Sequence, residues 1–246
     1  MINRKSLNVL MLLAAMLLAG TASAMVREVS FRELTRLSET TMEVVVVNSY
    51  AEWNAEHTAI FTHYVVEPLR QVGGGERGNR FELLFAGGRT TDGKQMIVTE
   101  VPTLEVGGQY ILFLHPRETR HAAPTVGLWQ GALRVVREPG SNKAVLVDPN
   151  GQMLEKDSSG EIRRGRHVEV DRHGFMSPAP AAEREPGMEQ DPVLKDGEGK
   201  IIPLRDPSSR PSIVGSNAAV TREPVDADTL MNMVESFRRQ QARGNQ

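Results

Sequence analysis

Val44-Val45-Val46-Val47 is the stretch on which the reading of the fold turns. Four consecutive β-branched side chains are stiff at χ1 and pack well on a pleated surface, so the run predicts a strand covered on both faces. Upstream the period is helical. Ser30-Phe31-Arg32-Glu33 is a capping box, in which the serine hydroxyl accepts a backbone N–H three residues on. Phe31, Leu34 and Leu37 then share one helical face. The chain therefore enters through a short helix and turns into a sheet.

Downstream, further strands are expected. Residues 60–66 are rich in β-branched and aromatic side chains, and Phe81-Glu82-Leu83-Leu84-Phe85 alternates as a half-buried strand does. Met96-Ile97-Val98-Thr99, residues 110–114 after the Gly107-Gly108 turn, and residues 128–136 complete six short strands. Short strands, Gly-rich connections and one flanking helix predict a mainly β chain built on a small closed or nearly closed OB-like β-barrel over residues 25–147. A β-sandwich is the alternative that periodicity leaves open.

The distribution of aromatics and prolines sets the boundaries. Nine of the twelve aromatics fall between Tyr50 and Trp129, whereas eight of the fourteen prolines fall between Pro178 and Pro224 with no aromatic among them. Aromatics bury the most area per residue, and a Pro-rich polar stretch cannot offset its ordering entropy. Residues 177–223 accordingly read as a disordered linker.

Between barrel and linker, residues 148–176 read as a β-hairpin extension. Asp148-Pro149-Asn150-Gly151-Gln152-Met153, Asp157-Ser158-Ser159-Gly160-Glu161-Ile162 and Asp171-Arg172-His173-Gly174-Phe175-Met176 repeat one pattern, and Asp196-Gly197-Glu198-Gly199-Lys200-Ile201 repeats it within the linker. Asp suits the first position of a turn, Gly supplies positive φ three residues later, and an apolar residue begins the return strand. A calcium loop needs more oxygen ligands than the one or two acids of each copy.

After the linker, residues 224–241 predict an amphipathic helix. Asp226 is placed as N-cap, Val225 and Leu230 as a hydrophobic staple, and Leu230, Met233, Val234 and Phe237 form one apolar stripe. A helix of this length is marginal alone in water, so the stripe docks either on the protein's own sheet or on a partner.

Arg4 and Lys5, the apolar run from Val9 to Ala19 and the small residues Ala22-Ser23-Ala24 read as a cleavable signal peptide over residues 1–24, cut between Ala24 and Met25. The mature chain then has 27 Lys and Arg against 31 Asp and Glu, a net charge of −4. That balance gives no electrostatic reason to expect nucleic acid as a partner. With no cysteine, disulfides, a thiol nucleophile and a lipid-modified terminus are excluded, and no later segment suits stable membrane insertion. The expected location is the periplasm or the extracellular space.

The order of these features resembles an uncharacterised group of exported bacterial proteins. The residues that carry the resemblance are the helix with Ser38-Glu39, Val44 to Val47 and Trp53, Phe61-Thr62 leading into Val65-Val66-Glu67, and Gly87-Gly88. Two longer matches are Val106-Gly107-Gly108-Gln109-Tyr110-Ile111-Leu112-Phe113-Leu114 and Val126-Gly127-Leu128-Trp129-Gln130-Gly131. They span roughly residues 30–136. Pro68-Leu69-Arg70 and Pro102-Thr103-Leu104 depart from the group's usual turns. The resemblance implies an OB-type barrel related in shape to netrin-like and tissue-inhibitor-of-metalloproteinase domains. Those inhibitors reach zinc through an amino-terminal cysteine, which a terminus of Met25-Val26 cannot supply.

No nucleophile elbow, phosphate-cradling loop or His-Glu-x-x-His motif is present, so neither a catalytic residue nor a cofactor is expected. If residues 168–171 form a strand, His167, Glu169, Asp171 and His173 share a face, and His167, Asp171 and His173 make a chemically sensible zinc set. A solvated strand face accounts for the same letters. Two functions remain from sequence: a non-enzymatic binding protein with an unidentified protein partner in the cell envelope, or a metal-binding protein or metal-dependent hydrolase on those three residues.

Overall fold

The computed structural model describes residues 27–75, 77–117, 121–138, 140–171, 174–176, 194–195, 201–202 and 222–244. The leader at residues 1–24 with its Ala24–Met25 junction, His173 and nearly all of the 177–223 linker lie outside these.

The capped helix forms as its sequence dictates. Helix α1 runs Phe31–Leu37, with Ser30 Oγ accepting the Glu33 N–H at 3.2 Å. Phe31 and Leu34 are buried, whereas Leu37 is 41% exposed and Thr35 takes the inward place. Strand β1 (Thr40–Trp53) is longer than the valine run, and its inner half is covered on both faces. From Val45 on it alternates between buried or half-buried and more exposed positions, because the cover on one face ends there.

β2 (Ile60–Val72) pairs antiparallel with β1, and β3 (Phe81–Ala86) pairs antiparallel with β2. Pro68 sits inside β2 without harm. It lies beside the register shift at Glu43/Val44 and past the end of β3, where its missing N–H costs the ladder nothing. The strand expected at residues 96–99 does not form. Only β5 (Gln95–Met96) pairs, with β4 (Gly88–Arg89), and Ile97 is 79% exposed. The expected strand at residues 128–136 divides. Gly127 (φ +66°) and Leu128 (φ +59°) start a 3₁₀ turn, Leu128–Gly131, before β7 (Ala132–Arg137).

β6 (Gln109–Leu114), β8 (Ala144–Val147), β9 (Gln152–Lys156) and β10 (Ile162–His167) complete one antiparallel sheet in the order β10-β9-β8-β7-β6-β1-β2-β3. The chain is thus mainly β, with a short helix before the sheet and a longer one after it. The expected barrel is corrected: β10 and β3 stand at the two ends of the strand order and do not pair with each other. The reason is visible in β6. Ile111 and Phe113 enter one apolar cluster, and Tyr110, Leu112 and Leu114 enter another on the opposite face, all at 4% exposure or less. A small barrel has one filled interior. Here β6 instead separates two apolar layers, one on each side of the sheet.

The hairpin turns follow the repeat. Asp148 Oδ1 accepts the N–H groups of Asn150 and Gln152, each at 2.9 Å, and Gly151 at φ +79° returns the chain. Asp157 and Asp171 repeat the arrangement with Gly160 and Gly174. In the linker, β11 (Leu194–Lys195) pairs antiparallel with β12 (Ile201–Ile202), on either side of the fourth copy.

The chain then returns to the sheet. β13 (Glu223–Pro224) pairs with β9, and Val225 bridges two strands: it accepts the Leu146 N–H and donates to Leu154 O, both at 2.9 Å. Helix α2 (Ala227–Gly244) follows, with Asp226 Oδ1 accepting the Thr229 N–H at 2.7 Å as N-cap. Its Leu230, Met231 and Val234 are fully buried against Phe31, Leu34, Ile111 and Leu133 in one cluster. Arg238 reaches back to Ser38 O and Glu39 O at the end of α1.

Candidate functional site

The stripe of Leu230, Met233, Val234 and Phe237 goes to the protein's own core. Leu230 and Val234 are at 0% exposure, and Met233 and Phe237 pack half-buried against the same cluster, Phe237 with its ring 6.0 Å from Phe31. Bound there, these side chains do not present a stripe to a partner. The physical reason is the wedge of Val225, which delivers the helix onto the sheet face that β6 to β9 leave apolar.

The residues of the expected zinc set do not share a regular strand. β10 ends at His167, after a register shift between Arg164 and His167. Asp171 turns into the third hairpin, where Oδ1 accepts the Phe175 N–H at 2.9 Å. A turn that engages a carboxylate oxygen and a strand that stops four residues earlier remove the alternation on which the shared face depended. His173 lies outside the described residues. Among the described residues, no three His, Asp or Glu side chains converge as metal ligands would.

His167 does line a groove of about 800 Å³ with Tyr110, Trp129, Arg134 and Asp148. Three of its charged side chains, Asp148, Arg134 and Glu105, are paired. Arg164 Nε meets the wholly buried Asp148 carboxylate at 2.9 Å while its guanidinium lies 4.9 Å over the Trp129 ring. Arg134 meets Glu105 at 2.7 Å, and the Tyr110 hydroxyl accepts the Glu105 N–H. The Arg164 contacts fasten β10 to the Asp148 turn and to Trp129, and the Glu105 contacts fasten the turn before β6 to β6 and β7.

A second groove, of about 930 Å³, lies along β3. Phe81, Leu83 and Leu84 form its apolar side, and the chain after β6 forms the other, with His115, Arg117 and His121. Arg77, before β3, completes a basic rim and lies 5.3 Å over the Phe81 ring. Burial lowers the Arg77 pKa, and the charge of Arg117 lowers it further. The His115 and His121 rings are 4.2 Å apart, and burial first, then His121, lowers the pKa of His115.

Glu82 is the one carboxylate of this lining, and its oxygens are engaged on the outer sheet face. Tyr50 donates its hydroxyl to Glu82 Oε1 at 2.7 Å, and His63 Nδ1 lies 3.0 Å from Oε2. The His63 ring stacks on Tyr50 at 4.6 Å, with Glu52 at 3.3 Å from its other nitrogen. His63 first, then the Tyr50 hydroxyl, hold the Glu82 carboxyl below its ordinary value.

Sequence reasoning attached no mechanism to His115 or His121 and passed over Arg77 and Arg117. One letter carried a signal: Leu84 is apolar at an outward position of an alternating strand, and it is 45% exposed. No known protein family, curated protein or solved structure matches this chain.

Proposed function

We propose that this is an exported, non-enzymatic binding protein of the periplasm or extracellular space that engages a protein partner through the groove along β3. The observation that carries the reading is the pairing of an apolar wall with a basic rim in a chain whose mature net charge is −4. A cationic patch on a net-acidic protein is a local feature of the kind that orients a partner at an interface. The leader-like residues 1–24 support export, and the resemblance to the exported bacterial group supports the same address, apart from the barrel closure that the resemblance implies.

Affinity capture from the native cell envelope tests this. The wild-type chain is expected to enrich a protein that Arg77→Glu/Arg117→Glu does not. A capture that enriches nothing, or the same protein equally with both, overturns the reading.

A further inference from the structure

The β2–β3 ladder decides which backbone groups of β3 are used. Gly87 donates its N–H to Ile60 O at 2.8 Å, and Ala86 donates in the other direction, to Ala122 O at 2.6 Å. Residues of an antiparallel strand point their N–H and C=O alternately to one side and the other. Residues 81, 83 and 85 therefore bond to β2, while Glu82, Leu84 and Ala86 present theirs to the free edge. Ala122 takes the place opposite Ala86; among the described residues no backbone group takes those opposite Glu82 and Leu84.

An open edge of this kind is a template for another strand. Natural edges are blunted by charges and prolines, yet Phe81-Glu82-Leu83-Leu84-Phe85-Ala86 has a single charge, and Tyr50 and His63 hold it. Among the described residues, the space beside this edge is a groove of about 930 Å³, bounded by residues 115–117 and by His121, Ala122 and Pro124. Its rim has four basic groups; among the described residues no carboxylate lies within ion-pair distance of Arg77 or Arg117, and Glu39 acts on Arg77 only from further off.

We propose that the edge of β3 takes an extended acidic segment of a partner protein as an added strand. The backbone of that segment pairs with Glu82 and Leu84, and its carboxylates face Arg77 and Arg117. Strand addition draws affinity from main-chain hydrogen bonds and specificity from alternate side chains, which here meet an apolar wall and a basic rim. A second copy of this chain is a poorer occupant, since edge-to-edge pairing brings two basic rims together. The inference rests on the proposed binding function and adds the chemistry of the partner.

The test uses the full chain, a capped hexapeptide alternating valine and glutamate, and its valine–lysine counterpart, read by calorimetry. The acidic peptide is expected to bind at least about tenfold more tightly than the basic one, with the preference lost in Arg77→Glu/Arg117→Glu. Leu84→Pro removes one outward N–H without touching the β2 ladder, so it is expected to weaken binding about fivefold to tenfold while the thermal melt is kept. Equal binding of the two peptides, no binding of the acidic one at about 1 mM, or undiminished affinity in a folded Leu84→Pro protein overturns the inference. Self-association abolished by Leu84→Pro assigns the edge to a second copy instead and overturns it too. If Leu84→Pro captures the same envelope protein as wild type, this inference falls and the binding reading stands. If capture fails while the peptide preference holds, the binding reading falls instead.

Discussion

Two places in the sheet, the gap between β8 and β9 and the edge of β3, meet the same physical demand in opposite ways. Around β8 and β9 the strands diverge after a single paired position, Val147 with Met153, which leaves backbone groups of Leu146 and Leu154 without a strand partner. The chain's own tail fills that gap, since Val225 bonds both strands and α2 covers the apolar face beside it. At β3, among the described residues, Ala86 alone finds a partner at the edge, Ala122, while the outward backbone groups of Glu82 and Leu84 find none. A buried backbone group must be paired, whereas an edge beside a groove can be left to water or to another chain. The first is a finished interior, and the second, among the described residues, is an open edge.

Deleting residues 223–246 breaks this comparison most severely. Val225, Leu230, Met231 and Val234 are each at 1% exposure or less, and burying such side chains contributes about 1.5–3 kcal/mol apiece. Their combined loss reaches the ~5–15 kcal/mol that holds a typical domain, so the truncated chain is expected to lose its cooperative melt in circular dichroism. A truncated chain that still melts sharply would mean the sheet does not depend on its wedge.

A pair of prolines sharpens the contrast. The Leu146 N–H is donated to Val225 O, so Leu146→Pro removes an interior ladder bond and is expected to cost at least ~3 kcal/mol in denaturant unfolding. Leu84→Pro, with its N–H turned to the free edge, is expected to cost only about 1 kcal/mol. Equal losses at the two positions would show that the β3 edge is not open.

The smallest effect is electrostatic and local to the β3 end. His63 and Tyr50 lower the pKa of the Glu82 carboxyl, so its charged form is favoured in the folded state. The sign is that of a depressed acid: the contribution is full above the unfolded value and disappears as pH falls through the folded one. With its carboxyl well exposed, Glu82 adds little to global stability. The carboxyl resonance of Glu82 is expected to titrate below the ordinary glutamate range by NMR, and to move up in His63→Ala. A resonance that stays in place in that variant would remove His63 as the cause.

What was legible in the sequence is what short-range hydrogen bonding decides. Ser30 capping Glu33, Asp148 gathering Asn150 and Gln152 around Gly151, and Asp226 capping Thr229 are all settled within four residues, and each forms as its letters require. The strands at β1, β2, β3 and β6 likewise announce themselves by apolar runs. Closure of the sheet was not legible, because alternation reports that a face is buried and not what buries it: Ile111 and Leu112 look alike in sequence yet enter different cores. The zinc set on His167, Asp171 and His173 assumed a strand that the local turn at Asp171 ends. The groove assembles Arg77, Leu84 and His115 from three separate segments, and Val225 meets Leu146 across almost eighty residues. Those pairings depend on which surfaces the finished layers leave uncovered, and only the tertiary structure decides that.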